Sequence, residues 1–470
     1  MIRAVLIGAG QRGAEAYAPY ALEHPDEIRF VAVAEPNAER RTKFATIHSI
    51  PAEFCFESWE ELMEKPQLGE AAIIATQDWL HVQPAIAAMK KGYHVLLEKP
   101  MAISPEDCEE LVITSERTQR QLHICHVLRY TQHARKMREI VQSGQLGEII
   151  DVDHRENVSF WHMAHSYVRG NWRNSQQSCP MILAKCCHDF DILPWILGQN
   201  PVELSSTGEL THFRADKAPQ KVPERCVDNC PIEKQCPYSA IHIYVEMIPF
   251  WYSYSQTCTN AFHKAIIQTW IKKPVFIKSL SSLFPFLKQV TEYKGWPLTV
   301  LVNDPTPQTI ARAIREGPYG RCVYHCDNDV VDHQVVSMKF EKGTTVTLTM
   351  HGHSHVEHRS TRIEGTKGRL MGVLGNGGGW LIIEEHRTRH KTVIDTSPKA
   401  GEGHGGGDKR LMAEFVARVR EGGYPDSVKQ VAREALFSHL LAFAAEQSRL
   451  EKKVITIKTP YNFPSTDFLR

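Results

Sequence analysis

Residues 3–7 (RAVLI) form a short apolar run that leads directly into Gly8-Ala9-Gly10-Gln11-Arg12-Gly13, and the segment behind it, AEAYAPYALE, has the composition of a helix. A strand, a Gly-x-Gly-x-x-Gly loop and a helix in that order constrain the chain more than any other feature, because each glycine has its own task. Gly8 permits the tight turn. Gly10 lets the backbone approach a pyrophosphate closely, and Gly13 lets the helix pack on the strand with its N–H groups aimed at phosphate. Gln11 and Arg12 lie within the loop and join it as candidate cofactor contacts. The next apolar run, FVAVAE, ends in Glu35. A carboxylate there accepts from both ribose hydroxyls and repels a 2′-phosphate, which favours NAD over NADP. Arg40 and Arg41 lie close enough to weaken that preference. The alternative is an α/β sheet with a glycine turn and no nucleotide.

The alternation continues with strands at 71–76, 93–97 and 122–127 and helices at 82–91 and 105–120. Strands alternating with helices imply a doubly wound parallel sheet, the Rossmann arrangement, whose ligands bind at the C-terminal strand ends. Thr76, His81, Glu98, Lys99 and Arg129 fall at or just past those ends and are candidate cofactor-pocket residues by position. The predicted class is α/β: a Rossmann domain over 1–127, then an α/β domain over 128–470 with a largely antiparallel open sheet and an insertion at about 205–320.

A chain of 470 residues is too long for one ordinary core. Its 55 Lys+Arg against 54 Asp+Glu leave no basic excess to attract nucleic acid or an anionic membrane. No run reaches the ~18 apolar residues of a membrane span, and the N-terminus runs straight into the glycine motif. A cytoplasmic, reducing location is the expectation, with the 12 cysteines as thiols or metal ligands.

In the second half, period-2 runs at 149–157, 331–340, 344–353 and around 379–395 fit the antiparallel sheet. The segment 433–450 reads as an amphipathic helix packing back on the body. Phe160-Trp161-His162-Met163-Ala164-His165-Ser166-Tyr167 and Gly170-Asn171-Trp172-Arg173 interleave rings with polar groups. Sugar C–H faces stack on rings while hydroxyls need fixed donors and acceptors, so His165, Tyr167 and Arg173 are candidate substrate contacts; the other reading is a loop packed with tryptophan. His404, in a glycine-rich loop, either closes over a site or marks a simple connection. His351, His353 and His355 share one strand face, with His358 beyond, as metal ligands or as a solvated surface. Cys226, Cys230 and Cys236, in RCVDNCPIEKQCPYSA, with Cys322 or Cys326 as a fourth, could hold a structural zinc or be plain buried thiols. The aromatic and lysine-rich stretch 241–303 is either a lid or an oligomer contact.

The glycine loop, Ala75-Thr76 with His81, Glu98-Lys99-Pro100 after a strand and His188-Asp189-Phe190-Asp191 together resemble the glucose–fructose oxidoreductase/inositol dehydrogenase/rhizopine-catabolism family, Gfo/Idh/MocA. The resemblance covers residues 1–200 well and 320–460 more loosely. It implies that Lys99 lies between nicotinamide and the substrate hydroxyl, that Pro100 follows a cis peptide, and that the open sheet face forms a homodimer or homotetramer. It also implies hydride transfer between a sugar or cyclitol carbinol and NAD. In that scheme Lys99, its pKa lowered by partial burial and by Lys185 or the NAD+ ring charge, is the general base or hydrogen-bond partner, His188 is the second acid–base or orienting group, and Glu98 positions the loop. The family's aspartate four residues before the histidine is absent: Ala184 stands there, with Lys185 next to it as a possible replacement. That departure keeps open an NAD-dependent glycosidase working by transient oxidation, elimination, hydration and re-reduction. A non-catalytic ligand sensor is the third reading, and the presence of both Lys99 and His188 argues against it.

Overall fold

The computed structural model describes residues 1–398 and 403–458. Six strands, β1 (Ile2–Ile7), β2 (Ile28–Ala34), β3 (Cys55–Phe56), β4 (Ala71–Ile74), β5 (His94–Leu97) and β6 (Leu122–Ile124), form a parallel sheet in the order β3-β2-β1-β4-β5-β6. Every residue of β4 and β5 is buried, as a sheet covered on both faces requires. Three of the crossover helices start where side chains cap them: Asn37 accepts from Arg40 N, Ser58 from Glu61 N and Ser104 from Asp107 N. The strand order reverses between β1 and β4, so a crevice opens at their C-terminal ends.

The second sheet has nine strands: β7 (Ile149–Ser159), β8 (Pro201–Glu209), β9 (His333–Phe340), β10 (Thr345–Ser354), β11 (His358–Gly365), β12 (Gly368–Gly375), β13 (Gly378–Glu385), β14 (Lys391–Asp395) and β15 (Ile455–Thr456). Their order is β14-β13-β12-β11-β7-β10-β9-β8-β15, and only β7 and β10 run parallel. Alternate residues face the core, Val336, Met338 and Phe340 on β9 and Val346, Leu348 and Met350 on β10. Strands β8, β11 and β12 escape the sequence reading because glycines, serines and charged residues interrupt their apolar alternation.

The helices Met181–Leu197 and Asp426–Glu451 pack on each other and on this sheet. The helix Gly407–Glu421 instead buries Leu411, Phe415 and Val416 in the same core as Ile2, Leu6 and Phe30, so the C-terminal segment completes the N-terminal domain. The insertion supplies Trp251, Ile267 and Leu298 to the second core. No helix among the described residues is long and apolar enough to cross a membrane.

Candidate functional site

A cleft of about 1130 Å³ lies where the two sheets meet, lined on one side by Gly10, Gln11, Arg12, Thr76, Glu98 and Lys99 and on the other by Tyr167, Lys185, His188 and Glu357. That exceeds the roughly 300–1,000 Å³ that holds one drug-sized ligand, leaving room for a dinucleotide beside a sugar-sized molecule. Phe250, Tyr254, Trp296 and Asn303 of the insertion close the rim. Asn303 also reaches the nucleotide domain, accepting from Arg40 and donating to Glu39.

The glycine loop divides as its spacing predicts. Gly8 has φ +91°, and a Cβ there would stand 2.6 Å from Ala75 O; one on Gly13 would stand 2.2 Å from Gly8 O. A Cβ on Gly10 would meet nothing within 4 Å, because that position faces the open cleft. The cradle therefore fits a pyrophosphate. At the tip of β2 the buried Glu35 accepts from Ala9 N at 2.8 Å and Asn37 N at 3.0 Å, placing a carboxylate beside the cradle. Arg40 and Lys43 line the cleft nearby, while Arg41 is turned to the Glu35 carbonyl and Glu57.

Glu98 is buried and held by three donors. It accepts from Arg12 and Tyr17 through one oxygen and from Lys99 N at 2.7 Å through the other. Burial alone would raise its pKa, yet Arg12 and Lys99 hold it below the ordinary carboxylate value. Arg12 also pairs with Asp408 at 2.8 Å, tying the loop to the returning C-terminal helix. His81 is fully buried, its Nδ1 2.7 Å from Pro100 O and its Nε2 3.3 Å from Thr76 O. It shapes the turn around the cis Lys99–Pro100 peptide from behind.

Lys99 reaches across the cleft and donates from Nζ to the backbone carbonyl of Ala184 at 2.8 Å. Ala184 and His188 are one turn apart on the same helix, and Lys185 and His188 both line the cleft. Lys185 pairs with Glu357 at 3.0 Å and with Glu156 at 3.5 Å. Burial would lower its pKa, but the two carboxylates raise it, so Lys185 is a fixed cation and a poor base. Glu357 also meets His162 Nδ1 at 2.9 Å and accepts from Ser159 N and Oγ. His162 and Lys185 overcome burial and keep Glu357 well below the usual range. Glu156, which pairs with Arg359 at 2.6 Å, is pushed up by its own burial despite that arginine. Two neighbouring carboxylates thus sit on opposite sides of their ordinary value, the arrangement that separates a proton donor from an anion.

Other expected residues fall elsewhere. Arg129 does not line the cleft; its guanidinium is held by Asp191 at 2.6 Å and by Glu434. Arg173 faces outward to Asp327 at 3.0 Å. His165 does line the cleft, fixed by Tyr244 OH at 3.0 Å and stacked on Tyr319. The His404 side chain lies outside the described residues. His351 contacts Asn157 Oδ1 and His353 lies 3.5 Å from Asp332, so these histidines serve polar pairing along the sheet. The one group with three ligand atoms within 4.8 Å of one another among the described residues is His126, Cys187 and His439. His439 spends Nε2 accepting from Met101 N and Nδ1 on Ala435 O, which leaves it no lone pair for a metal. Cys226, Cys230, Cys236 and Cys322 line one small cavity that shares no lining residue with the cleft, and no three of their sulfurs come that close.

Glu156, His162, Glu357 and Arg359 were not singled out by sequence. A signal existed: the inward-facing set of β7 includes His154 and Glu156, and a polar residue at a core-facing position is the informative exception.

Two family models match: the oxidoreductase family NAD-binding Rossmann fold over residues 2–126, and the oxidoreductase family C-terminal alpha/beta domain over residues 138–266. Inositol 2-dehydrogenase of Leifsonia xyli subsp. xyli is 30% identical over 232 residues, 46% of this chain and 59% of that protein. The 2,7-anhydro-N-acetylneuraminate hydratase of Escherichia coli K12 is 26% identical over 212 residues, 44% of this chain and 53% of that protein. The chain spans about half the length of the curated relatives it matches. Among solved structures, levoglucosan dehydrogenase in complex with NADH superposes with a TM-score of 0.65 at 15% identity, covering 97% of this chain and 99% of that one. The chain belongs to the Gfo/Idh/MocA oxidoreductase family.

Proposed function

We propose that the protein oxidises a hydroxyl of a sugar, sugar derivative or cyclitol using NAD, with Lys99 as general base. The observation that carries this reading is the placement of Lys99: on the nucleotide domain's strand end, reaching over the cleft to the substrate-side helix that bears His188. NAD, when bound, accepts a hydride from the substrate carbon. The remaining work belongs to the chain. Lys99 Nζ takes or shares the hydroxyl proton, Ala184 O orients the amine, and His188 contacts the reacting or neighbouring oxygen. Tyr167 and His165 shape the far wall, and Glu35 selects a free ribose diol. Through Glu357, the cation of Lys185 and the ring of His162 form a fixed polar floor for further hydroxyls.

The test is turnover of a panel of polyols with NAD by the wild-type protein and by Lys99→Met, which loses turnover while keeping cofactor binding. A second reading, a glycosidase that uses NAD transiently, draws support from one observation. Glu156 and Glu357 both line the cleft beside Lys185, and burial pushes the Glu156 carboxyl up towards its protonated form, an additional acid of the kind elimination requires. Self-association as a homodimer or homotetramer through the open sheet face is part of the proposal.

A further inference from the structure

Cys226, Cys230, Cys236 and Cys322 come from segments far apart in sequence yet line a single cavity of about 20 Å³. The backbone holds the two segments together: Cys226 N donates to Gly320 O at 2.9 Å, Cys322 N donates to Glu224 O at 2.8 Å, and Arg225 pairs antiparallel with Arg321. Gly320 lets the chain turn tightly against the helix before it, since a Cβ there would stand 1.6 Å from Ile314 O. Two backbone-paired cysteine loops facing one void form a built site rather than a chance gathering of thiols.

A second observation says what charge the void takes. Arg169 lines it and is 1% exposed. Its Nε donates to Arg321 O at 2.7 Å, and its Nη2 donates to Tyr238 O at 2.7 Å and to Cys226 Sγ at 3.5 Å. Its Nη1 is buried with no acceptor. Among the described residues Arg169 has no carboxylate partner within ion-pair distance, and a buried guanidinium left without a counter-charge is costly. Neutral thiols cannot balance it. Four thiolates on a metal centre carry net negative charge and can.

We propose that Cys226, Cys230, Cys236 and Cys322 ligate a thiophilic metal centre, a zinc ion or an iron–sulfur cluster, whose charge Arg169 offsets. The cysteine spacing leaves both sources open. A tetrahedral zinc at about 2.3 Å from each sulfur brings the sulfurs to about 3.8 Å from one another, so it draws the loops inward from their present separation. A cluster places inorganic sulfide between the ligands and tolerates wider spacing. Either centre braces the substrate wall, because Arg169 ends the helical segment Met163–Arg169 that carries His165 and Tyr167.

The full chain, purified anaerobically without chelator, is analysed for zinc, iron and acid-labile sulfide. About one zinc per chain, or iron with matching sulfide and thiolate charge-transfer absorption, supports the proposal and distinguishes the two sources. The variants Cys230→Ser and Cys236→Ser are expected to lose at least about tenfold of that metal, whereas Cys55→Ser, on edge strand β3 and outside that cavity, retains it. Should the variants fail to fold, alkylation of the wild type decides. The four cysteines are expected to resist iodoacetamide until a chelator is added. Wild-type protein holding less than about a tenth of an equivalent of metal, or alkylated at all four positions without chelator, overturns the proposal.

Discussion

Lys99 Nζ donates to the backbone carbonyl of Ala184 across 2.8 Å, joining the nucleotide-binding strand end to the helix that carries His188. A carbonyl orients the amine without adding charge, so the lysine is directed but not locked in an ion pair. Lys99→Met is therefore predicted to lower kcat/KM by about 10²–10⁴, the usual contribution of a positioned acid–base group. NADH affinity, read by fluorescence titration, should change by less than about threefold.

Glycines of the cofactor loop separate binding from folding. Gly10→Ala places its Cβ in the open cleft, where only a ligand would meet it. That variant is predicted to keep the wild-type melting temperature and lose NAD binding. Gly8→Ala forces an alanine to φ +91° and against Ala75 O at 2.6 Å. It is predicted to destabilise the fold by more than about 1 kcal/mol even without cofactor.

Glu357 predicts a pH dependence of stability. His162 and Lys185 hold its pKa well below the ordinary range against the effect of burial. Its contribution is thus complete above the unfolded-chain value of about 4.3 and is lost as pH falls through the folded value. Glu357→Gln removes a partner from buried Lys185 and is predicted to cost about 3 kcal/mol near neutral pH. Urea denaturation of both proteins should show that difference shrinking at pH values below about 4.

Much of this was legible in the chain. Gly8, Gly10 and Gly13 behind a strand, Glu35 at the end of the next, and Lys99 before Pro100 are local signals, and local signals survive in a single sequence. Thr76 follows from its place at a strand end and His188 from the resemblance of its motif to the family's histidine-bearing helix, and both line the cleft. What stayed hidden depends on contacts between distant segments. Arg129 sits past a strand end, yet Asp191 and Glu434, far along the chain, claim it. Arg173 is likewise taken by Asp327. Lys185 reads as a spare base until Glu156 from β7 and Glu357 from the turn between β10 and β11 pair with it and fix its proton. Strands β11 and β12 lack a clean apolar alternation, and the pairing that makes them strands is non-local.

The proposed choice of NAD by Glu35 starts from its carboxylate beside the cradle, with Arg40 and Lys43 lining the cleft nearby. Glu35→Ser is predicted to weaken NAD about tenfold or more, the worth of a charged hydrogen bond. The same change should improve NADP, since the repulsion is gone and the cations remain. The ratio of kcat/KM for the two cofactors checks this; an unchanged ratio would remove Glu35 from the selection.

The most direct test follows nicotinamide absorbance and products together, by mass spectrometry, for the wild-type protein with NAD and a panel of free sugars, cyclitols and glycosides. NADH is predicted to accumulate in step with an oxidised sugar or cyclitol, and both are lost in Lys99→Met. Cofactor-dependent cleavage of a glycoside without net NADH would contradict the dehydrogenase reading in favour of the redox glycosidase. Product formation undiminished in Lys99→Met would contradict the central claim outright.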